Sequence, residues 1–193
     1  MPASDLRTLD FASEVISASD LESRVGELSS AIADAYADRD PVFVSVLTGS
    51  VLFAADLIRG VRTGGEVDFL ALNRFGESGR ISVSMDTSGP LFDRDVVIVE
   101  EIVDTGLTLK VLRQMMLDRG ARSVATVTLL DKTRRRVTEV PIEYRGFEVG
   151  DEFLVGYGLD WEGLYRNLPS LWAILDIEAF VADRFLLARE LFG

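Results

Sequence analysis

Between Val96 and Leu109 the chain reads Val-Val-Ile-Val-Glu-Glu-Ile-Val-Asp-Thr-Gly-Leu-Thr-Leu. Four consecutive β-branched apolar residues describe a strand buried on both faces, and a helical pattern begins only after the polar run Asp104-Thr105-Gly106-Leu107-Thr108. A strand, a polar loop and a helix start in this order call for a parallel sheet with helices packed over it. The first N–H groups of a helix have no intrahelical partners, and the aligned peptide dipoles leave partial positive charge there. An anion such as a phosphate can therefore bind across Thr105 to Thr108. Gly106 permits close backbone approach, and the Thr105 and Thr108 hydroxyls add donors. Glu100, Glu101 and Asp104 stand beside this cradle, where carboxylates repel an anion unless they accept from sugar hydroxyls, hold a divalent cation or take a proton. Asp104 on its own reads equally well as a helix cap.

The rest of the chain alternates strands and helices. Leu21 to Tyr36 carries apolar residues at helical spacing, with Ser19 or Asp20 as its N-cap. Pro41 to Leu47 reads as a buried strand, Val51 to Val61 as a helix ending near Gly60, and Val67 to Leu72 as the next strand. The polar, glycine-bearing stretch from Arg74 to Arg80 reads as a loop, followed by an exposed strand from Ile81 to Met85. Thr105 to Arg119 forms a helix stopped by Gly120, Ser123 to Leu130 another strand, and Asp176 to Leu191 one amphipathic helix. The polar positions Thr48, Gly49, Arg74, Glu100 to Thr108 and Lys132 all fall at the carboxyl ends of strands, where an open α/β sheet leaves its ligand crevice.

Composition excludes several classes of function. The 193 residues contain neither Cys nor His, so there are no disulfides or thiolate metal sites, and acid–base chemistry falls to carboxylates, Lys or Tyr. A net charge of −12, from 20 basic and 32 acidic residues, argues against general nucleic-acid binding. No apolar run reaches the length of a membrane span, and Met1 to Asp5 lacks a basic, apolar leader; a cytoplasmic protein without membrane association is expected. Lys132-Thr133-Arg134-Arg135-Arg136 is the one basic run, and its three arginines read as a solvated turn.

Glu100-Glu101-Ile102-Val103-Asp104-Thr105-Gly106-Leu107-Thr108-Leu109 resembles the phosphoribosyl-pyrophosphate signature of the type I phosphoribosyltransferases, nearest to the hypoxanthine-guanine branch. Three further segments resemble that branch in order. They are Val46 to Leu57 (its pyrophosphate loop and helix), Leu129 to Lys132 (its purine-selecting strand end), and Phe153 to Asp160 with Tyr165-Arg166-Asn167-Leu168 (its hood). The resemblance runs from about residue 21 to about residue 175. It implies the type I phosphoribosyltransferase fold, a twisted, mainly parallel sheet flanked by helices with a small hood. Residues 1–193 would form one domain, its core at about 20–150 and its hood built from the N-terminal segment and about 151–193.

The resemblance also implies a reaction, the transfer of phosphoribosyl from phosphoribosyl pyrophosphate to a 6-oxopurine, with Mg²⁺. Asp104 would be the general base. Asp104, Thr105, Gly106, Leu107 and Thr108 would hold the 5′-phosphate, and Glu100 and Glu101 the ribose hydroxyls, directly or through metal. Thr48, Gly49 and Arg166 would bind pyrophosphate, with Asp160 on a second metal. Ile102, Lys132, Phe153 and Leu154 would receive the purine, and Arg74, Phe75 and Gly76 would belong to the flexible loop. Taken singly, Phe153 and Ile102 also read as core, Thr48-Gly49-Ser50 as an ordinary capped turn, and Asp160 with Arg166 as a surface ion pair.

Three positions depart from the branch pattern: Thr48 where Lys or Arg is common, Glu101 where Asp is frequent, and Phe75 where a Tyr hydroxyl is usual. Two other functions fit the same residues, a nucleotide-sensing paralogue without turnover and a xanthine-preferring enzyme. A homodimer or homotetramer is expected from the family.

Overall fold

The computed structural model describes residues 6–75 and 80–193, which divide into two units. The larger, Val25–Gly150, is built on a six-stranded sheet. In chain order its elements are β2 (Val42–Leu47), α2 (Val51–Gly60), β3 (Glu66–Phe75), β4 (Arg80–Met85), β5 (Asp95–Val103), α3 (Leu107–Asp118), β6 (Ser123–Asp131) and β7 (Tyr144–Glu148). They follow β1 (Ala12–Ile16) and α1 (Ala18–Ala35). The strand order is β4-β3-β2-β5-β6-β7, all neighbours parallel except the antiparallel β3/β4 pair.

Period-2 alternation explains the layering. Val42, Val44 and Val46 of β2 and Val96 and Ile98 of β5 share a buried cluster with Leu109, Leu112 and Met116, the inward stripe of α3. The intervening residues Phe43, Val97 and Val99 are equally buried. Phe53, Ala54 and Leu57 form the buried face of α2, which packs on β2 and β5. Both faces of the central strands are thus covered, as their unbroken apolar runs require.

The expected strand from Val67 to Leu72 is longer than its apolar core. β3 continues to Phe75, with Arg74 and Phe75 paired to Ile81 and Arg80, so the backbone of these two residues ends a strand where a loop was expected. Gly76 lies outside the described residues. At the other end of the chain's reading, α1 begins at Ala18, and its cap is Ser17 rather than Ser19 or Asp20. The Ser17 hydroxyl accepts from the Asp20 N–H at 3.1 Å and donates to the Asp20 carboxylate at 2.6 Å. Gly120 ends α3 as expected, at φ +79°, with the Ala121 N–H donating to the Met116 carbonyl.

At the amino end of β5, Asp95 is 1% exposed, accepts from Arg122 at 2.5 Å and 3.2 Å, and accepts from Ser123 Oγ at 2.6 Å. The Arg122 hydrogen bonds outweigh burial and bring the Asp95 carboxyl down to about 2. A carboxyl depressed on folding stabilises above its unfolded pKa and loses that contribution as pH falls from about 4 to about 2. The contribution is about 2 kcal/mol at most, because the half-exposed Arg122 is screened by solvent. Urea titrations at pH 6 and pH 3 should show this decline, with a shallower one in Asp95→Asn.

The smaller unit, Met1–Arg24 with Asp151–Gly193, holds a three-stranded antiparallel sheet in the order β1-β9-β8, where β8 is Phe153–Val155 and β9 is Leu171–Ile174. Its own core gathers Ala12, Val155, Tyr165, Leu168, Trp172, Ile174, Phe180 and Leu187. The single helix expected from Asp176 to Leu191 is two: α4 (Ile177–Ala182), capped by the Asp176 carboxylate on the Ala179 N–H, and α5 (Leu186–Phe192). Asp183 interrupts them in an extended conformation, its carboxylate accepting from the Phe185 N–H and pairing with Arg189. A short acidic side chain that bonds locally to backbone competes with the helix, and here it wins.

Candidate active site

Strand order fixes where a ligand goes. The chain leaves β2 toward β3 on one side and re-enters at β5 on the other, so the carboxyl ends of β2 and β5 form the switch point of the sheet. A cavity of about 540 Å³ opens there. It is lined by Val46 and Leu47 from β2, Leu72 from β3, Glu100 to Val103 from β5, Asp104, Thr105, Gly106, Thr108 and Leu109 at the start of α3, and Lys132 just beyond β6. Residues separated by more than eighty positions meet in one ligand-sized recess.

Helix α3 starts later than the expected Thr105. Gly106 is the cap residue, at φ +84°, and no side chain caps the helix. The start of this helix lines the cavity through Gly106, Thr108 and Leu109, and the Leu107 N–H makes a long contact of 3.4 Å to Thr105 Oγ1. Gly106 is obligatory for two reasons. Its φ lies in the left-handed region, and a Cβ would come within 2.9 Å of both Arg136 Cδ and the Thr138 carbonyl oxygen. On the β2 side, Thr48 is exposed and Gly49 buried, and a Cβ on Gly49 would overlap the Glu101 carboxylate. Ser50 does not cap α2 with its side chain. Its hydroxyl turns back to the Val46 carbonyl and to Ser45 Oγ, pinning the Thr48-Gly49-Ser50 turn to the strand.

Glu100 and Glu101 lie within β5, which runs on to Val103, and Asp104 follows it. Glu100 is buried, and Glu101 packs on Gly49. Lys132 is buried, and its N–H donates to the Val103 carbonyl at 3.0 Å, clamping the end of β6 to the end of β5. Asp104 is half-exposed, and its Oδ1 accepts from Arg135 Nε at 2.6 Å. Its backbone carbonyl accepts from Arg136 at 2.6 Å, and Arg136 also pairs with the fully buried Asp131, which Arg145 meets at 2.7 Å. The N–H groups of Val137 and Thr138 donate to the Thr105 carbonyl. Arg134 and Arg135 are exposed on a 3-10 turn, as expected of this run, while Arg136 is partly buried; Arg135 and Arg136 also fasten the turn to the Asp104–Thr105 loop.

In the smaller unit, Phe153 is 37% exposed and meets Trp161 edge-on at 5.2 Å, while Leu154 is buried in β8. Asp160 pairs with Arg166 at 2.7 Å and accepts from the Gly163 N–H, and Arg166 also donates to the Gly158 carbonyl. Trp161 carries no mark in the sequence, and Arg135 and Arg136 read there only as part of the basic run, without their partner Asp104. The density of arginines directly after a candidate purine-selecting strand was the available signal for these two.

Cleft, uncapped helix start and adjacent carboxylates define an α/β protein with a site suited to a phosphorylated sugar. Residues 13–162 match the phosphoribosyl transferase domain family. A Bacillus subtilis hypoxanthine-guanine phosphoribosyltransferase is 38% identical over 166 residues, covering 84% of this chain and 92% of that protein. An Escherichia coli hypoxanthine phosphoribosyltransferase is 38% identical over 167 residues, covering 83% and 94%. Among solved structures, a Bacillus anthracis hypoxanthine-guanine phosphoribosyltransferase superposes with a TM-score of 0.82 at 33% identity, covering 88% of this chain and 99% of that one. The chain belongs to the hypoxanthine-guanine phosphoribosyltransferase family, as its motifs anticipated, and it has that family's fold.

Proposed function

We propose that this enzyme transfers the phosphoribosyl group of phosphoribosyl pyrophosphate to a 6-oxopurine, hypoxanthine or guanine, releasing pyrophosphate. The observation that carries the reading is one cavity in which the start of α3, the Glu100-Glu101 pair, Asp104 and Lys132 converge. The N–H groups and hydroxyls of Thr105 to Thr108 would bind the 5′-phosphate. Glu100 and Glu101 would hold the ribose hydroxyls. As the bond to pyrophosphate breaks, positive charge develops on the sugar in the manner of glycosyl transfer, and the neighbouring carboxylates stabilise it. Asp104 would accept the proton from the attacking purine nitrogen. Buried Lys132 would donate to the 6-oxo group, selecting an oxo over an amino substituent.

The donor set suits Mg²⁺. Glu100 and Glu101 offer hard oxygen ligands at the cavity, and Mg²⁺ is usually held by one or two carboxylates together with substrate oxygens. Among the described residues no group of three or more such ligands stands ready, so the substrate's own oxygens would complete the shell. Held by Glu100 and Glu101, such an ion would supply charge neutralisation for the departing pyrophosphate. The family resemblance assigns purine stacking to Phe153 with Ile102, a backbone contact to Leu154, and pyrophosphate and metal to Thr48, Gly49, Arg166 and Asp160.

A radiolabelled assay with hypoxanthine, guanine, xanthine and adenine tests the proposal. Product is expected with the first two and none with adenine. Xanthine alone as acceptor would change the substrate, and no product with any base would replace the transferase by a nucleotide sensor. Assembly as a homodimer or homotetramer is also proposed, supported by the exposed apolar side chains Val67, Phe69, Val83 and Met85 on β3 and β4; light scattering on the eluted protein reads it directly.

A further inference from the structure

The turn after β6 ties two functional positions together. Lys132 lines the cavity, and three residues later the Arg135 N–H donates to the Lys132 carbonyl at 3.0 Å, closing a single 3-10 turn over Thr133–Arg135. From that turn Arg135 Nε reaches Asp104 Oδ1 at 2.6 Å, while Arg136 grips the Asp104 carbonyl. Asp104 is therefore held at two points, backbone and carboxylate, by adjacent residues of one segment.

We propose that Arg135 is a positioning residue for Asp104, fixing the rotation of its carboxylate so that Oδ2 is presented to the purine while Oδ1 is occupied. This rests on the reading of Asp104 as the proton acceptor. The torsion that orients a carboxylate is broad and nearly two-fold, so without a partner the oxygens of Asp104 sample many directions. One charge-assisted hydrogen bond to one oxygen narrows that range and leaves the second oxygen as acceptor. The purine contact on Lys132 and the carboxylate orientation then share the same short turn. Both partners of the ion pair are nearly half exposed, 47% for Arg135 and 42% for Asp104, so the pair contributes little to folding. Its effect belongs to the geometry of proton transfer.

Steady-state kinetics on the intact enzyme separate this role from others. Arg135→Gln is expected to lower kcat about tenfold, with KM for purine and for phosphoribosyl pyrophosphate each changed less than about threefold and the thermal midpoint unmoved. Arg135→Lys, which keeps a cationic donor, should recover part of kcat. In the Asp104→Asn background, Arg135→Gln should add no further loss, because a residue that acts only through Asp104 has nothing left to position. A wild-type kcat in Arg135→Gln, or a full additional loss on top of Asp104→Asn, overturns the inference while leaving the transferase reading intact. So does a raised KM for the sugar phosphate with kcat unchanged, which assigns Arg135 to phosphate binding. Undiminished turnover in Asp104→Asn itself overturns the base assignment and this inference together.

Discussion

Asp104→Asn is expected to lower kcat by about 10²–10⁴-fold, the usual contribution of a positioned general base, while affinity for phosphoribosyl pyrophosphate changes by no more than a few-fold. The substitution keeps size and hydrogen-bonding ability. The Asn side-chain oxygen can still accept from Arg135, and the backbone carbonyl still accepts from Arg136, so position 104 keeps both hydrogen bonds. What is lost is the capacity to take a proton. Equal losses in kcat and in sugar-phosphate binding, read from single-turnover rates and equilibrium titration, would reassign Asp104 to positioning the loop.

Gly106→Ala should have an effect of comparable size through a different quantity. An L-residue at φ +84° is strained by about 1–2 kcal/mol, and the added Cβ presses on Arg136 Cδ and on the Thr138 carbonyl oxygen, each 2.9 Å away. The backbone carbonyl cannot turn aside as a side-chain end would, so the start of α3 must shift. Since a misplacement of about 1 Å in a binding site can cost about 100-fold, kcat/KM for phosphoribosyl pyrophosphate should fall by about that factor or more. Binding of the free purine, measured by titration without the sugar phosphate, should be spared. Loss of both to the same degree would mean that the whole cavity has collapsed.

The parts of the molecule that could be read from the chain are those whose cause is local. β2 and β5 declare themselves because strands covered on both faces need unbroken apolar runs, and Gly120 marks the end of α3 because few other residues adopt its backbone conformation. The clustering of Thr48, Gly49, Glu100 to Thr108 and Lys132 at strand ends followed from the periodicity, since a parallel sheet brings all its carboxyl ends to one edge. Contacts between distant side chains left no such mark. Arg135 and Asp104 are 31 positions apart, and nothing in the run Arg134-Arg135-Arg136 tells which guanidinium turns inward. The break between α4 and α5 escaped for a related reason: the apolar positions continue through it, and Asp183 stops the helix by a bond to the Phe185 N–H that periodicity does not register. Phe153 reads equally as core or as a stacking face in the sequence, and its 37% exposure and edge-on contact with Trp161 show only that it is not fully buried.

The strut formed by Arg136, from buried Asp131 to the Asp104 carbonyl, bears on how this chain tolerates changes of length. The connection from Lys132 to Thr138 has no slack: a 3-10 turn, the Arg136 strut and two N–H donations to the Thr105 carbonyl span it from end to end. Removing or adding one residue there would draw either Lys132 from the cavity, where it is proposed to meet the purine, or Arg136 from the Asp104 carbonyl. Arg134, Arg135 and Val137 are exposed, as in the surface loops that usually absorb insertions, yet the length of this stretch is set by the distance between Lys132 and the Asp104–Thr105 loop.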